Sequence, residues 1–197
     1  MAKNTQPVLK RARTLGIEPG FMGVYKKSKR KPKQTRRKQS NYSLQMTEKQ
    51  KVKFVYGILE KQLRNTFALA EKMSGNVGEN LLVLLEQRMD NVVYRLGLAS
   101  TRREAKQLVS HAHFTVNGKK MNIPSAQIKV GDVIAVREKS LQSPKFKALA
   151  EGLKGKAVPA WLELDAANMA GKVVALPTRG DVDAPITEQL IVEFYSR

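Results

Sequence analysis

Cysteine is absent from the 197 residues. The chain therefore has no disulfide, no thiol nucleophile and no cysteine ligand for a zinc or iron–sulfur centre. Histidine is nearly absent as well. Only His111 and His113 occur, two positions apart and with no evident third ligand, so no metal and no other cofactor is expected. Long apolar runs are missing too. Leu81-Leu82-Val83-Leu84-Leu85 is far short of the ~18 residues of a membrane span, and no membrane partner is expected. The opening Met-Ala-Lys-Asn-Thr-Gln-Pro lacks the apolar core of a secretory signal. Pro7, Pro19 and Pro32 would interrupt a transit-type amphipathic helix, so a cytoplasmic location is expected. No G-x-x-x-x-G-K-[ST] phosphate loop occurs.

Acidic residues are scarce where basic ones are dense. The chain has 36 Lys+Arg against 17 Asp+Glu, a net charge of +19. A charge this large repels itself in a compact fold unless a polyanion offsets it, and nucleic acid is the leading candidate. The excess is graded: net +14 over residues 1–53, +8 over 54–156 and −3 over 157–197. The densest stretch holds Lys27, Lys29, Arg30, Lys31, Lys33, Arg36, Arg37 and Lys38. It has no hydrophobic period, so it is expected to be an arm that orders against phosphates.

Apolar spacing then predicts helices. Thr47-Glu48-Lys49-Gln50 fits a capping box, and Val52, Val55, Tyr56, Leu59, Leu63 and Phe67 share one arc. One long helix is expected from there to Ser74-Gly75, with Lys53 and Arg64 opposite its apolar face. A second is expected from Glu79 to Leu96, closed by Gly97. Arg88, Asn91 and Arg95 recur on its flank at offsets of three, four and seven. Thr101 and Glu104 form a further capping box. Behind it Ala105, Leu108, Val109 and Ala112 face one way and Arg102, Arg103, Lys106, Gln107 and Ser110 the other.

The period next changes to two. Phe114-Thr115-Val116, the turn Asn117-Gly118 and Lys119-Lys120-Met121 read as a hairpin, and Val133–Val136 as a further strand. A short helix is expected over Lys145–Leu153 and a strand over Trp161–Asp165, with Trp161 as a core anchor. The segment Gln189–Tyr195 suits helix or strand, and helix is chosen. The fold class is α+β: a mainly helical domain with a small inserted α+β module.

The most informative stretch is the Thr101–Ser110 helix. Its first turn should present backbone N–H groups and a partial positive charge to a phosphate, with Arg102 and Arg103 beside it. Cations there oppose the helix dipole by ~0.3–1 kcal/mol each, and a bound phosphate would resolve the conflict. Arg88 and Arg95 would extend the surface. Asn117, Lys119 and Lys120 sit at a hairpin tip that can project into a groove. The grouping suits irregular RNA better than a lone helix in a DNA major groove.

The residues Arg88-Met-Asp-Asn-Val-Val-Tyr-Arg-Leu-Gly97, Ala99-Ser-Thr-Arg-Arg-Glu-Ala-Lys-Gln-Leu-Val-Ser-His111, Val116-Asn-Gly-Lys-Lys120, Asn122-Ile-Pro-Ser125 and Gly131-Asp-Val133 closely resemble the ribosomal S-four family. Glu48-Lys-Gln-Lys-Val52, Tyr56-Gly57, Gly78-Glu-Asn-Leu-Leu82, Trp161-Leu-Glu163, Leu190-Ile-Val-Glu193 and Tyr195-Ser196 resemble its bacterial form. The likeness covers roughly residues 40–197. Many members carry a four-cysteine zinc site near the N-terminus, so this is a zinc-free variant, only weakly similar over residues 1–39. Ala112 stands where a glycine is often found.

The resemblance implies a domain plan: a basic extension over 1–45, a helical domain over 46–87 completed by 166–197, the RNA-binding module over 88–150, and a linker with a return strand over 151–165. It implies a structural, non-enzymatic protein that binds the five-way junction of the 5′ domain of 16S-type small-subunit rRNA and helps start assembly. It further implies contact with the small-subunit proteins S-five and S-three, and a place beside the channel by which mRNA enters, where Arg36, Arg37 and Lys38 match best. The implied rRNA-binding set is Arg88, Asn91, Tyr94, Arg95, Ser100, Thr101, Arg102, Arg103, Lys106, Gln107, Ser110, His111, His113, Asn117, Lys119 and Lys120, with Lys49, Lys53 and Arg64 on the helical domain. An RNA-modifying enzyme using the same module would need a catalytic domain of over a hundred residues. Only about 60 follow the module, and they show no acid–base cluster.

Overall fold

A computed structural model describes residues 6–26, 30, 40–153 and 157–196. The expected arm residues Lys27, Lys29, Lys31, Lys33, Arg36, Arg37 and Lys38 lie outside the described residues, whereas Arg30 is described and exposed. In chain order the described elements are α1 (Val8–Leu15), a 3-10 turn (Pro19–Met22), α2 (Asn41–Val55), α3 (Glu60–Ala70), α4 (Val77–Glu86), α5 (Met89–Arg95), α6 (Arg102–Ser110), β1 (Phe114–Val116), β2 (Lys119–Met121), β3 (Val133–Val136), α7 (Glu138–Leu141), α8 (Pro144–Leu153), β4 (Leu162–Asp165), β5 (Ala170–Val173), a 3-10 turn (Arg179–Asp181) and α9 (Glu188–Tyr195). The chain divides into two units, Met1–Leu82 with Val182–Arg197, and Val83–Asp181. The fold class is α+β, as expected.

The first unit is helical. Ser40, whose hydroxyl accepts from the Ser43 N–H at 3.3 Å, caps α2. The helix therefore begins well before Thr47, whose hydroxyl instead donates to the Ser43 carbonyl within it. The expected single helix is also broken after Val55. Gly57 adopts φ 62°, and the Ile58 N–H reaches back to the Lys53 carbonyl at 3.1 Å. That left-handed helix end is easy for glycine and costly for most other residues, so the chain turns and restarts as α3. The apolar arc survives the break except at Leu59, which the turn leaves exposed: Val52, Val55, Tyr56, Leu63 and Phe67 are all buried. From the C-terminal segment α9 packs on α2, burying Ile191 and setting Tyr195 against Phe67 with ring centroids 4.8 Å apart. The choice of helix for this segment holds.

The second unit is built on a five-stranded antiparallel sheet of order β2-β1-β3-β5-β4. Asn117 (φ 50°) and Gly118 (φ 76°) form the two-residue turn between β1 and β2, as the Asn-Gly pair predicts. The second expected helix divides here. Arg88 is extended (φ −63°, ψ 139°) and bridges to Gln127, while the N–H groups of Met89 and Ile128 bond to Ala126 and Gln87. The backbone thus pairs with a distant loop and ends α4 before α5 begins. Helical periodicity alone cannot register that pairing.

One strand was not expected. β5 runs between β3 and β4, so residues 166–181 belong to the sheet unit and only the segment from Val182 joins the helical one. The expected boundary at 166 is corrected by that strand pairing. Small residues hid β5, and one of them is needed. A side-chain carbon on Gly171 would fall 2.6 Å from Leu96 Cδ1, inside the core where Leu96 is fully buried. Phe114 and Phe146 meet edge-to-face in the same core, and Trp161 is buried there as the expected anchor.

At the end of α6 the Ala112 N–H bonds to the Val109 carbonyl and the His113 N–H to that of Leu108. Ala112 itself has φ 60°. This is the same helix end as at Gly57, made with a residue that bears a Cβ. The His111–His113 turn is therefore kept despite the alanine, at a local steric cost.

Substituting Gly171→Ala should lower the stability of the protein by about 1–3 kcal/mol, because Leu96 must leave its rotamer or β5 must shift. Urea denaturation of wild type and variant measures it.

Candidate nucleic-acid interface

In the second unit the expected cations separate into two kinds. Arg88 donates from Nε and Nη2 to both oxygens of Asp90, at 3.0 and 2.8 Å, with both side chains buried. Arg95 makes a similar two-pronged pair with Glu86, at 2.9 Å through each nitrogen. Glu86 is completely buried and also accepts from Asn91 Nδ2 at 2.6 Å. Asn91 Oδ1 in turn accepts from Arg102 Nε at 2.9 Å, and the Arg102 guanidinium stacks on Tyr94 at 4.5 Å. One carboxylate thus anchors a chain running through Asn91 and Arg102, with Arg95 as its ion-pair partner. The spacing that puts Arg88, Asn91 and Arg95 together is real, but the face they share points inward. The expectation that these three and Arg102 present themselves to solvent is corrected: a buried charge needs a partner, and Asp90 serves Arg88, Glu86 serves Arg95, and Asn91 accepts from Arg102.

The opening of α6 differs from expectation in the same way. Thr101 caps it, its hydroxyl accepting from the Glu104 N–H at 3.1 Å, while the Glu104 carboxylate accepts from the Ser100 N–H at 2.7 Å. The chain supplies its own anion at this helix end, and Lys145 pairs with it. Burial works to raise the Glu104 carboxyl, but the Lys145 hydrogen bond and those from the Ser100 and Thr101 backbones hold it below its usual value.

What remains outward on α6 is a row at helical spacing. Arg103, Gln107 and His111 are exposed, and Lys106 and Ser110 are half-buried between them. Burial lowers the Lys106 pKa, with Asp90 acting against that and Arg88 adding to it. The Arg137 guanidinium donates to the Ala112 carbonyl at 3.0 Å. His113 sits beside it, its Nδ1 2.9 Å from the Ser140 hydroxyl and its ring 5.6 Å from Phe146. Burial first, then the charges of His111, Lys145 and Arg137, push the His113 pKa below its ordinary 6.5. Arg137 and Lys145 thus join the α6 cations from more than twenty residues away. Local periodicity carries no sign of them; only their charge could have marked them.

At the hairpin tip Lys119 and Lys120 are exposed. Asn117 is exposed too, but its side chain is engaged: Oδ1 accepts from the Val133 N–H and Nδ2 donates to Asp132. In the helical unit Lys49 and Lys53 are also committed. Both pair with Glu60, at 3.0 and 2.7 Å, and Lys49 lies 4.1 Å over the Phe194 ring. Arg64 is exposed. Burial alone would raise the Glu60 carboxyl, but hydrogen bonds from Lys53, Lys49 and Tyr195 outweigh it and hold its pKa at about 2, against an ordinary 4.5. Among the described residues, no group of three or more His, Asp or Glu is placed to hold a metal ion, and no helix is long and apolar enough to cross a membrane.

A strongly basic α+β chain, with a sheet unit whose central helix turns a cationic row outward, has the make-up of a nucleic-acid-binding protein. Comparison with known families makes this specific. A family model described as the ribosomal protein S4/S9 N-terminal domain matches residues 3–86, and one described as the S4 domain matches residues 87–134. The small ribosomal subunit protein uS4 of Lachnospira eligens is 52% identical over 197 residues, 100% of both chains. That of Lachnoclostridium phytofermentans is 52% identical over 198 residues, again 100% of both. That of Caldicellulosiruptor saccharolyticus is 60% identical over 164 residues, 83% of this chain and 79% of the relative. The chain belongs to the uS4 family of small ribosomal subunit proteins.

Two outcomes follow from this geometry. Glu86→Ala should cost about 3–5 kcal/mol, since it strands a buried arginine, whereas Arg103→Ala should change stability by no more than about 0.5 kcal/mol. Chemical denaturation of both variants checks the contrast. Because the Glu60 pKa is depressed in the folded state, its contribution is complete above 4.5 and is lost as pH falls from there toward about 2. Glu60→Gln should flatten stability against pH in that window, read by denaturation at a series of acid pH values.

Proposed function

We propose that this chain is a structural constituent of the small ribosomal subunit that binds 16S-type rRNA and has no enzymatic role. The observation that carries the reading is the outward row Arg103, Lys106, Gln107, Ser110 and His111 on α6, backed by the buried Glu86–Asn91–Arg102 chain. Arginine and lysine on a rigid helix can engage phosphates of an irregular RNA, while glutamine, serine and histidine supply hydrogen bonds to sugar and base edges. The exposed Lys119 and Lys120, with Arg137 and Lys145, add positive charge in the same unit. The net charge of +19 calls for a polyanion, and the family membership names the class of particle.

The finer assignments are parts of the same proposal. The protein nucleates assembly of the 5′ domain and body of the subunit. It contacts the small-subunit proteins S-five and S-three, contributes to the channel by which mRNA enters and so to translational accuracy, and resides in cytoplasmic ribosomes. Family resemblance supports these roles, and the net +14 of residues 1–53 supports an RNA-facing N-terminal extension. In this proposal the site residues divide by burial. Arg88, Asn91, Arg95 and Arg102 position the helices, and Arg103, Lys106, Gln107 and His111 meet the RNA.

Filter binding to deproteinised small-subunit rRNA tests this. If ~6–10 phosphates are contacted, affinity should fall about 10³–10⁵-fold between about 50 and 200 mM salt. The double substitution Arg103→Ala with Lys106→Ala should weaken binding in a folded protein and reduce the salt slope by about 2. An unchanged slope in the folded variant would remove α6 from the interface, and duplex DNA bound as tightly at equal salt would remove the RNA preference.

A further inference from the structure

The Asn117-Gly118 turn combines two opposing features. Its sequence is the one most open to spontaneous deamidation, because glycine leaves its own backbone nitrogen unshielded. The turn is exposed, and a Cβ built on Gly118 would meet nothing within 4 Å. The Asn117 amide, however, is clamped at both ends. Its Oδ1 accepts from the Val133 N–H at 2.9 Å and its Nδ2 donates to Asp132 Oδ1 at 2.8 Å. Asp132 is itself fixed, its Oδ2 accepting from the Lys129 N–H at 2.8 Å. The Asn117 N–H also donates to the Val133 carbonyl at 2.9 Å.

We infer that Asn117 is a deamidation site held in check by Asp132 and the Val133 backbone, and that its chemistry proceeds from the opened hairpin. In the reaction the Gly118 nitrogen attacks Asn117 Cγ. A nitrogen–carbon bond forms, the Cγ–Nδ2 bond breaks, and the amide nitrogen leaves as ammonia with the proton from the Gly118 N–H. Water then opens the succinimide. It gives aspartate if it cleaves the new bond at Cγ, and isoaspartate if it cleaves the original main-chain bond. The attack requires Cγ to swing toward Gly118, and in the closed turn that motion breaks the bonds to both Asp132 and Val133. A hydrogen bond to a charged carboxylate is among the stronger restraints available to an amide. An aspartate product can still accept from the Val133 N–H, but it has no donor to offer Asp132 and faces it as a like charge, so the closed turn is weakened.

The test follows the full-length chain by peptide mass spectrometry during incubation at mildly alkaline pH, with isoaspartate scored at position 117. Native wild type should deamidate there at least about tenfold more slowly than the same chain in urea, reflecting the stability of the closed hairpin. Asp132→Ala, with its fold checked by circular dichroism, should recover about tenfold or more of that rate through loss of the charged hydrogen bond. Equal rates in native and urea-unfolded wild type would overturn the protection, whether or not the variant folds. A folded Asp132→Ala protein that reacts no faster than wild type would overturn the role of Asp132.

Discussion

Glu86 is a fully buried carboxylate at the end of α4, and the geometry of the sheet unit follows from how it is satisfied. An unpaired charge at such a site would cost several kcal/mol. Arg95 takes both of its oxygens and Asn91 bonds to one of them, which draws α5 in beneath the end of α4. Asn91 then has one amide oxygen left, and Arg102 fills it. Because Arg102 opens α6, that last hydrogen bond sets the helix by its first residue. The stack of Arg102 on Tyr94 fixes its plane. The rigid placement of the outward row on α6 is thus a consequence of a single acidic residue whose charge is never seen at the surface.

The same economy governs the other cations. Asp90 holds Arg88, Glu104 holds Lys145, and Glu60 holds both Lys49 and Lys53. A chain poor in acidic residues spends several of them inside or at helix ends, where each fixes a basic side chain in place. The basic residues left facing solvent are then the ones available to a polyanion. The exposed pairs, those of Glu104 and Glu60, contribute little to stability on their own; their effect here is positional.

Helix ends do comparable work. Gly57 and Ala112 both terminate helices in the left-handed conformation, one at low cost and one against the preference of its side chain. At Ala112 the turn is overdetermined by the bonds from Ala112 and His113 to the helix, and by the Arg137 guanidinium on the Ala112 carbonyl. A strained residue persists when its surroundings leave it no alternative. The strain here lies between the cationic helix and the sheet, where a shift would move Phe114 out of the core.

Much of this architecture is legible in the amino-acid sequence. The charge excess pointed to a polyanionic partner, and the absence of cysteine excluded thiol chemistry and any cysteine-held metal. The Thr101–Glu104 cap and the Asn117-Gly118 turn are formed by local chemistry; β3 and Trp161 carried local signals, although strand pairing and core packing complete them. The break at Gly57 was present as a glycine but could be read as a tolerated defect. The break at Arg88 was not written locally at all, since it depends on pairing with Gln127. Nor was β5, whose Gly171 makes sense only against Leu96. Periodicity states which side chains share a face; it does not state what waits opposite that face. Arg88, Asn91 and Arg95 shared one as predicted, and acidic partners brought there by the fold turned it inward. The number of cations and their grouping follow from the chain alone, because composition and spacing belong to it. Which of them face a partner depends instead on where the fold buries the few carboxylates, and spacing along the chain cannot specify that.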